Sequence, residues 1–133
     1  DYARAGELYV AALVEAEAVL SRELREQESL QVIGPVLLTI SHHNLAQLAR
    51  MQSKPLIARR HVLLAFERLA GLAETDEVPL CIRTSAARNL RPALEELLSD
   101  LRTRSHEQHG RRLIARAHAV VQVVEQAESA HAH

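Results

Sequence analysis

Apolar residues recur every three or four positions along most of this chain, and that spacing commits it to helix, because it places them on one side of a 3.6-residue turn. From about Tyr2 to Glu28 the stripe runs through Ala5, Leu8, Tyr9, Ala12, Leu13, Ala16, Val19, Leu20 and Leu24. Propensity agrees. The 133 residues include 21 Ala and 21 Leu, strong helix formers, against 4 Gly and 4 Pro. An all-β fold would need more turn residues and aromatics. A disordered chain would hold fewer aliphatics. Only Tyr2, Tyr9 and Phe66 are aromatic, so no platform exists for stacking single-stranded nucleic acid. Area scaling gives roughly 7,000 Å² exposed when folded against roughly 21,000 Å² when extended, enough burial for a core in a single domain, 1–133.

Gly and Pro punctuate the pattern. Gln27–Gly34 holds the first break, and Pro35 suits the first turn of a second helix, Pro35 to about Gln52, with Leu38, Leu45, Leu48 and Ala49 inward. Ser53-Lys54-Pro55 reads as a turn with Ser53 as N-cap. A third helix follows to about Leu72 around Ala58, Val62, Ala65, Phe66 and Leu69, closed at Gly71. Asp76 is the expected cap of a fourth helix with Pro79 in its first turn, and Pro92 should kink or divide it. Ser105 or Gly110 opens the last helix through Leu113, Ile114, Ala117, Val120, Val121 and Val124, and the tail from Ser129 should fray. Five helices on short turns make antiparallel neighbours.

The net charge of −1 supplies no bulk field for nucleic acid or anionic membrane. Its distribution alternates: net −4 over 1–30, +4 over 31–72, −3 over 73–101 and +2 over 102–133, so packed neighbours should attract. A lone cysteine, Cys81, in an apolar stretch suits the core of a reduced, cytoplasmic protein. No run of 18 apolar residues marks a membrane span.

One stretch repeats within the chain. Leu56-Ile57-Ala58-Arg59-Arg60-His61 returns 57 residues later as Leu113-Ile114-Ala115-Arg116-Ala117-His118. The stretch His42-His43-Asn44-Leu45-Ala46-Gln47-Leu48-Ala49, followed by Ala58, Val62 and Ala65, resembles the two helices of a tetratricopeptide repeat. Leu45 holds that family's leucine place, Ala46 replaces its glycine, and Ala58 follows at the family spacing. His42 stands in the tryptophan place and Ala49 in the tyrosine place, so the repeat is divergent. Asp1-Tyr2-Ala3-Arg4-Ala5, with Tyr9 and Ala12, resembles the start of a second repeat helix, whose partner helix would lie upstream of Asp1. The resemblance implies antiparallel hairpins stacked in a right-handed superhelix. Residues 1–28 would supply one helix of a first unit, 35–72 a second unit, and 76–130 an elongated third. The chain resembles small uncharacterised bacterial proteins of this kind, some of which carry a similar Ile-Ser-x-His-Asn-Leu-Ala stretch, here Ile40 to Ala46. The alanines Ala5, Ala12, Ala46, Ala58, Ala65 and Ala115 would mark close helix contacts.

Chemistry-bearing residues are sparse. His42 and His43 point about 100° apart on a helix, which gives one packed and one exposed imidazole rather than two ligands of one metal. His106 and His109 have i, i+3 spacing but lack thiolate partners, so no metal or other cofactor is expected. Arg102, Arg104, His106, His109, Arg111 and Arg112 form a basic turn that reads as solvated. Glu95, Glu96 and Asp100 read as a solvent face, and the four glycines are too scattered for a phosphate loop. What the resemblance implies instead is a non-catalytic module that binds a peptide or partner helix on a concave surface. The matching places on its first helix are His43, Asn44, Gln47 and Arg50. The rival expectation is a helical-bundle enzyme or a metal- or ligand-responsive regulator using the histidines. The valines at 120, 121, 123 and 124 cover more of the last helix than one packing face needs, so a homodimer is expected through it.

Overall fold

The computed structural model describes residues 1–26, 31–100 and 107–132. These form five helices: α1 (Tyr2–Glu26), α2 (Gly34–Met51), α3 (Pro55–Glu74), α4 (Leu80–Asp100) and α5 (Glu107–Ala132). No strand occurs among the described residues. No helix among them is long and apolar enough to cross a membrane.

Each helix packs against its successor, and α2 also meets α4 as α3 meets α5. No comparable packing joins α1 to α4 or α5 among the described residues. The molecule is therefore built in chain order. A continuous core runs through Leu20, Leu38, Phe66, Leu69, Ile82, Leu90, Leu97, Val120 and Val124, each almost fully buried. The inward residues expected on α2 and α3 are all buried.

Helix ends are set by partners distant in sequence. The α1–α2 junction is held by Glu23, 6 % exposed. Its carboxylate accepts the amides of Ile33 at 2.7 Å and Gly34 at 2.8 Å, and so satisfies donors left open at the start of α2. Gly34 lies inside the helix rather than in the break before it, because α1 and α2 touch there. A Cβ on Gly34 would collide with Glu23 Oε1 and stand 3.0 Å from Leu20 Cα. Ser53 is not an N-cap. It takes φ +58° beyond the end of α2, while Lys54 precedes α3. The Lys54 amide donates to Ala49 O at 2.8 Å and that of Ser53 to Arg50 O at 3.0 Å, a Schellman ending without its usual glycine.

Past Gly71, α3 continues to Glu74, since Leu72 and Ala73 still pack inward. The buried Arg83 of α4 reaches back to donate from Nε to Ala73 O at 2.9 Å. Its Nη2 stands 3.6 Å from Asp76 Oδ1. Pro79 precedes α4, where its carbonyl accepts the amides of Ile82 and Arg83, and Asp76 lies further back in the turn. Pro92 does not divide α4, because Leu90, Ala93 and Leu97 are buried on both sides of it. Gly110 is inside α5, and Ser105 lies outside the described residues. The tail stays helical to Ala132.

Several inward assignments are corrected. Leu8, Ala12 and Ala115 are exposed, because α1 has its main packing on α2 and Ala115 faces away from α4 and α3. The internal repeat does not share a packing register. Leu56 is exposed where Leu113 is buried, and Ala58 is buried where Ala115 is exposed. Cys81 is exposed in the first turn of α4, not in the core. Val120 and Val124 are buried and Val121 half-buried, so only Val123 of the four valines is well exposed. Ile114 and Val123 are the large apolar side chains that the last helix leaves exposed.

Candidate functional site

Three of the four residues expected to bind a partner meet on one stripe of α2. His43, Gln47 and Arg50 sit at i, i+4 and i+7, one above another on the helix surface. Asn44, half-buried, lies about 100° around the helix from His43 and flanks the stripe. Opposite them, α4 presents Glu96 and Asp100, also one turn apart. His43 Nδ1 pairs with Glu96 Oε2. Arg50 Nη2 donates to Asp100 Oδ2 at 2.9 Å and lies 3.8 Å from Glu96 Oε1. Arg50 Nη1 donates to Gln47 Oε1 at 3.1 Å. From below, Arg59 of α3 donates to the Asp100 carbonyl at 3.3 Å.

Glu96 and Asp100 thus form part of this face and not a solvent face. Glu95 does stay outward and pairs with Arg91 at 3.2 Å. The signal for the α2–α4 pairing is the opposite net charge of segments 31–72 and 73–101, together with the four-residue spacing of the two acids.

Beside this network, α2 and α4 bound a groove of about 270 Å³. Val62 and Ala65 of α3 form its floor, with Ile40 and His43 on one wall and Pro92, Ala93 and Glu96 on the other. Ile40 is 49 % exposed at the rim. The groove can hold an apolar side chain between polar rims, and charged or amide groups of a ligand can exchange with the ion pairs at its edge.

The neighbouring histidine behaves oppositely. His42 is 6 % exposed and faces His61 of α3, with the two Nδ1 atoms 3.3 Å apart. One ring must donate Nδ1–H while the other accepts, so the accepting ring is neutral. Burial first, then the proximity of His61, lowers the His42 pKa to about 4, opposed in part by Glu17. Burial and Arg60 lower that of His61.

Other candidate residues stay apart. His109, Arg111 and Arg112 are exposed near the start of α5, and Arg102, Arg104 and His106 lie outside the described residues. Among the described residues no three His, Cys, Asp or Glu side chains gather around a common point that could hold a metal. Cys81 lines a surface hollow of about 590 Å³ with Thr84, Ser85, Arg88 and His131.

The fold and this face define an all-helical protein whose helices pack in chain order. Over residues 1–133 the chain matches the family described as protein of unknown function (DUF2753), and it belongs to that family. Comparison with curated proteins and comparison with solved structures each return no match.

Proposed function

We propose that the chain is a non-catalytic protein–protein interaction module whose α2–α4 face receives a peptide or a partner helix. The observation that carries this reading is the groove between α2 and α4, apolar at its floor and lined at its edge by His43 and Glu96, with the Arg50–Asp100 pair beside it. A floor that takes an apolar anchor and a rim that offers hydrogen bonds is the usual division of labour at peptide sites.

Packing of α2 on α4 and of α3 on α5 also supports a tetratricopeptide-like stack. In that arrangement α2 and α4 are the first helices of successive units and share the receiving surface. The right-handed superhelix and the division at 1–28, 35–72 and 76–130 belong to the same proposal. Asn44, on the flank of the stripe, is the amide best placed to bond a ligand backbone.

The test is capture of partners from the native cell extract, with wild-type chain, Ile40→Asp and the double variant Asn44→Ala with Arg50→Ala. All three sites are at least partly exposed, so helicity should survive, which circular dichroism checks. A partner held by wild type should be lost from both variants. Equal capture by all three would sink the reading.

A further inference from the structure

α1 has its main packing on α2, through the side that carries Leu13, Ala16 and Leu20. The rest of its first four turns is unusually apolar for a surface. Leu8 is 62 % exposed, Val10 51 % and Val14 65 %, and Ala11 and Ala12 are exposed between them. At about 100° per residue, Arg4, Leu8, Ala11 and Glu15 fall within about 60° of one another on the side away from the core, with Val14 at the margin. All five are exposed.

The order of that stripe is base, large apolar, small apolar, acid. Reversed, it complements itself. We infer that α1 pairs antiparallel with α1 of a second copy of this chain, about a two-fold axis between Tyr9 and Val10. In this register Arg4 faces the partner's Glu15 and Leu8 faces the partner's Ala11, and the two-fold repeats both contacts. A large side chain against a small one lets the helices approach closely. A parallel pairing would set Arg4 against its own copy. Sliding the antiparallel pair to centre on Ala11 would set Glu7 against the partner's Glu15. In the single chain Glu15 has only a loose tie, 3.5 Å from the exposed Arg22.

The overlap covers Tyr2–Glu17, about 24 Å of helix, short of the roughly 800 Å² per partner of a stable interface. Association is therefore weak and concentration-dependent. It uses a face separate from the α2–α4 groove, so it stands or falls independently of partner binding there.

Sedimentation equilibrium from micromolar to millimolar chain tests the pairing. The expected mass rises from one chain toward two. Leu8→Asp and Arg4→Glu each weaken association about tenfold or more, because they place a desolvated charge or a like-charge pair across the interface. Arg4→Glu combined with Glu15→Arg restores it, since both ion pairs re-form with reversed sign. These positions are exposed, so folding is unaffected, and circular dichroism checks that. A chain monomeric at millimolar concentration overturns the inference. So does a dimer indifferent to Leu8→Asp and Arg4→Glu, or a double variant no tighter than Arg4→Glu alone.

Discussion

Glu23 shows why a residue can matter while its type conceals it. It sits at i+7 from Ala16 and i+3 from Leu20, on the buried side of α1, but a stripe read from apolar side chains passes over it. Its carboxylate stands in for the helix-capping side chain that Ile33 cannot supply. Glu23→Ala should lower stability by about 1–3 kcal/mol in urea unfolding, by leaving two amides open. An unchanged midpoint would show that water satisfies them equally well. Ser53→Gly should act the other way, raising stability by up to about 1 kcal/mol, because glycine adopts a positive φ without the steric cost serine bears. Thermal melting measures it, and a lower Tm would refute the left-handed assignment. His42 links stability to pH. Its pKa is about 4 folded against 6.5 unfolded, so between these values the unfolded chain binds the extra proton. Stability should be full above pH 6.5, fall by roughly 3 kcal/mol as pH drops toward 4, and level off below. Urea midpoints across that range test it, with His42→Leu expected to flatten the slope. An equal slope in that variant would assign the effect elsewhere.

At the scale of elements, the helices are legible, α2 and α3 to within two residues, but the groups that hold their ends are not. Periodicity places α2 and α3 within a few residues, since Leu38, Leu45, Val62, Phe66 and Leu69 all face the core. Those groups escape a local reading because they come from other helices. Glu23 lies ten residues before Ile33, and Arg83 ten after Ala73. Local cap signals such as Ser53 and Asp76 carry no such information. Pro92 is the opposite case, a strong local breaker overridden by packing on both sides of it. Its ring still removes one backbone hydrogen bond, so Pro92→Ala should raise stability by about 1–3 kcal/mol. The same change should alter the groove wall that Pro92 forms. Denaturant unfolding settles the sign, and a loss of stability would mean that the ring packs more usefully than the bond it removes.

Over the whole molecule, the alternating charge of the segments finds its physical meaning in pairs between helices two apart. Glu17 of α1 meets Arg68 of α3 at 3.3 Å, Arg50 of α2 meets Asp100 of α4, and Glu74 of α3 meets Arg116 of α5 at 2.9 Å. Exposed pairs add little stability each, but all three favour this arrangement of the helices over one that sets like charges together. The accessible area of 8465 Å² exceeds the roughly 7,000 Å² of a compact monomer of this mass. Of the proposed partner-binding face, His43, Asn44, Gln47 and Arg50 follow from the places that the tetratricopeptide resemblance implies on one helix. Glu96 and Asp100 do not, because no local pattern says which helix a carboxylate will oppose. Removing both carboxylates, Glu96→Gln with Asp100→Asn, should cost only about 1 kcal/mol of stability while changing partner affinity measurably. The most direct measurement is site-specific photo-crosslinking in the native cell. A photoreactive residue at Ile40, on the groove rim, is compared with one at Leu64, exposed on α3 outside the groove. Crosslinks to a protein partner from position 40 and not from 64 are the expected result. Crosslinks from 64 and none from 40 would contradict the α2–α4 face as the binding surface.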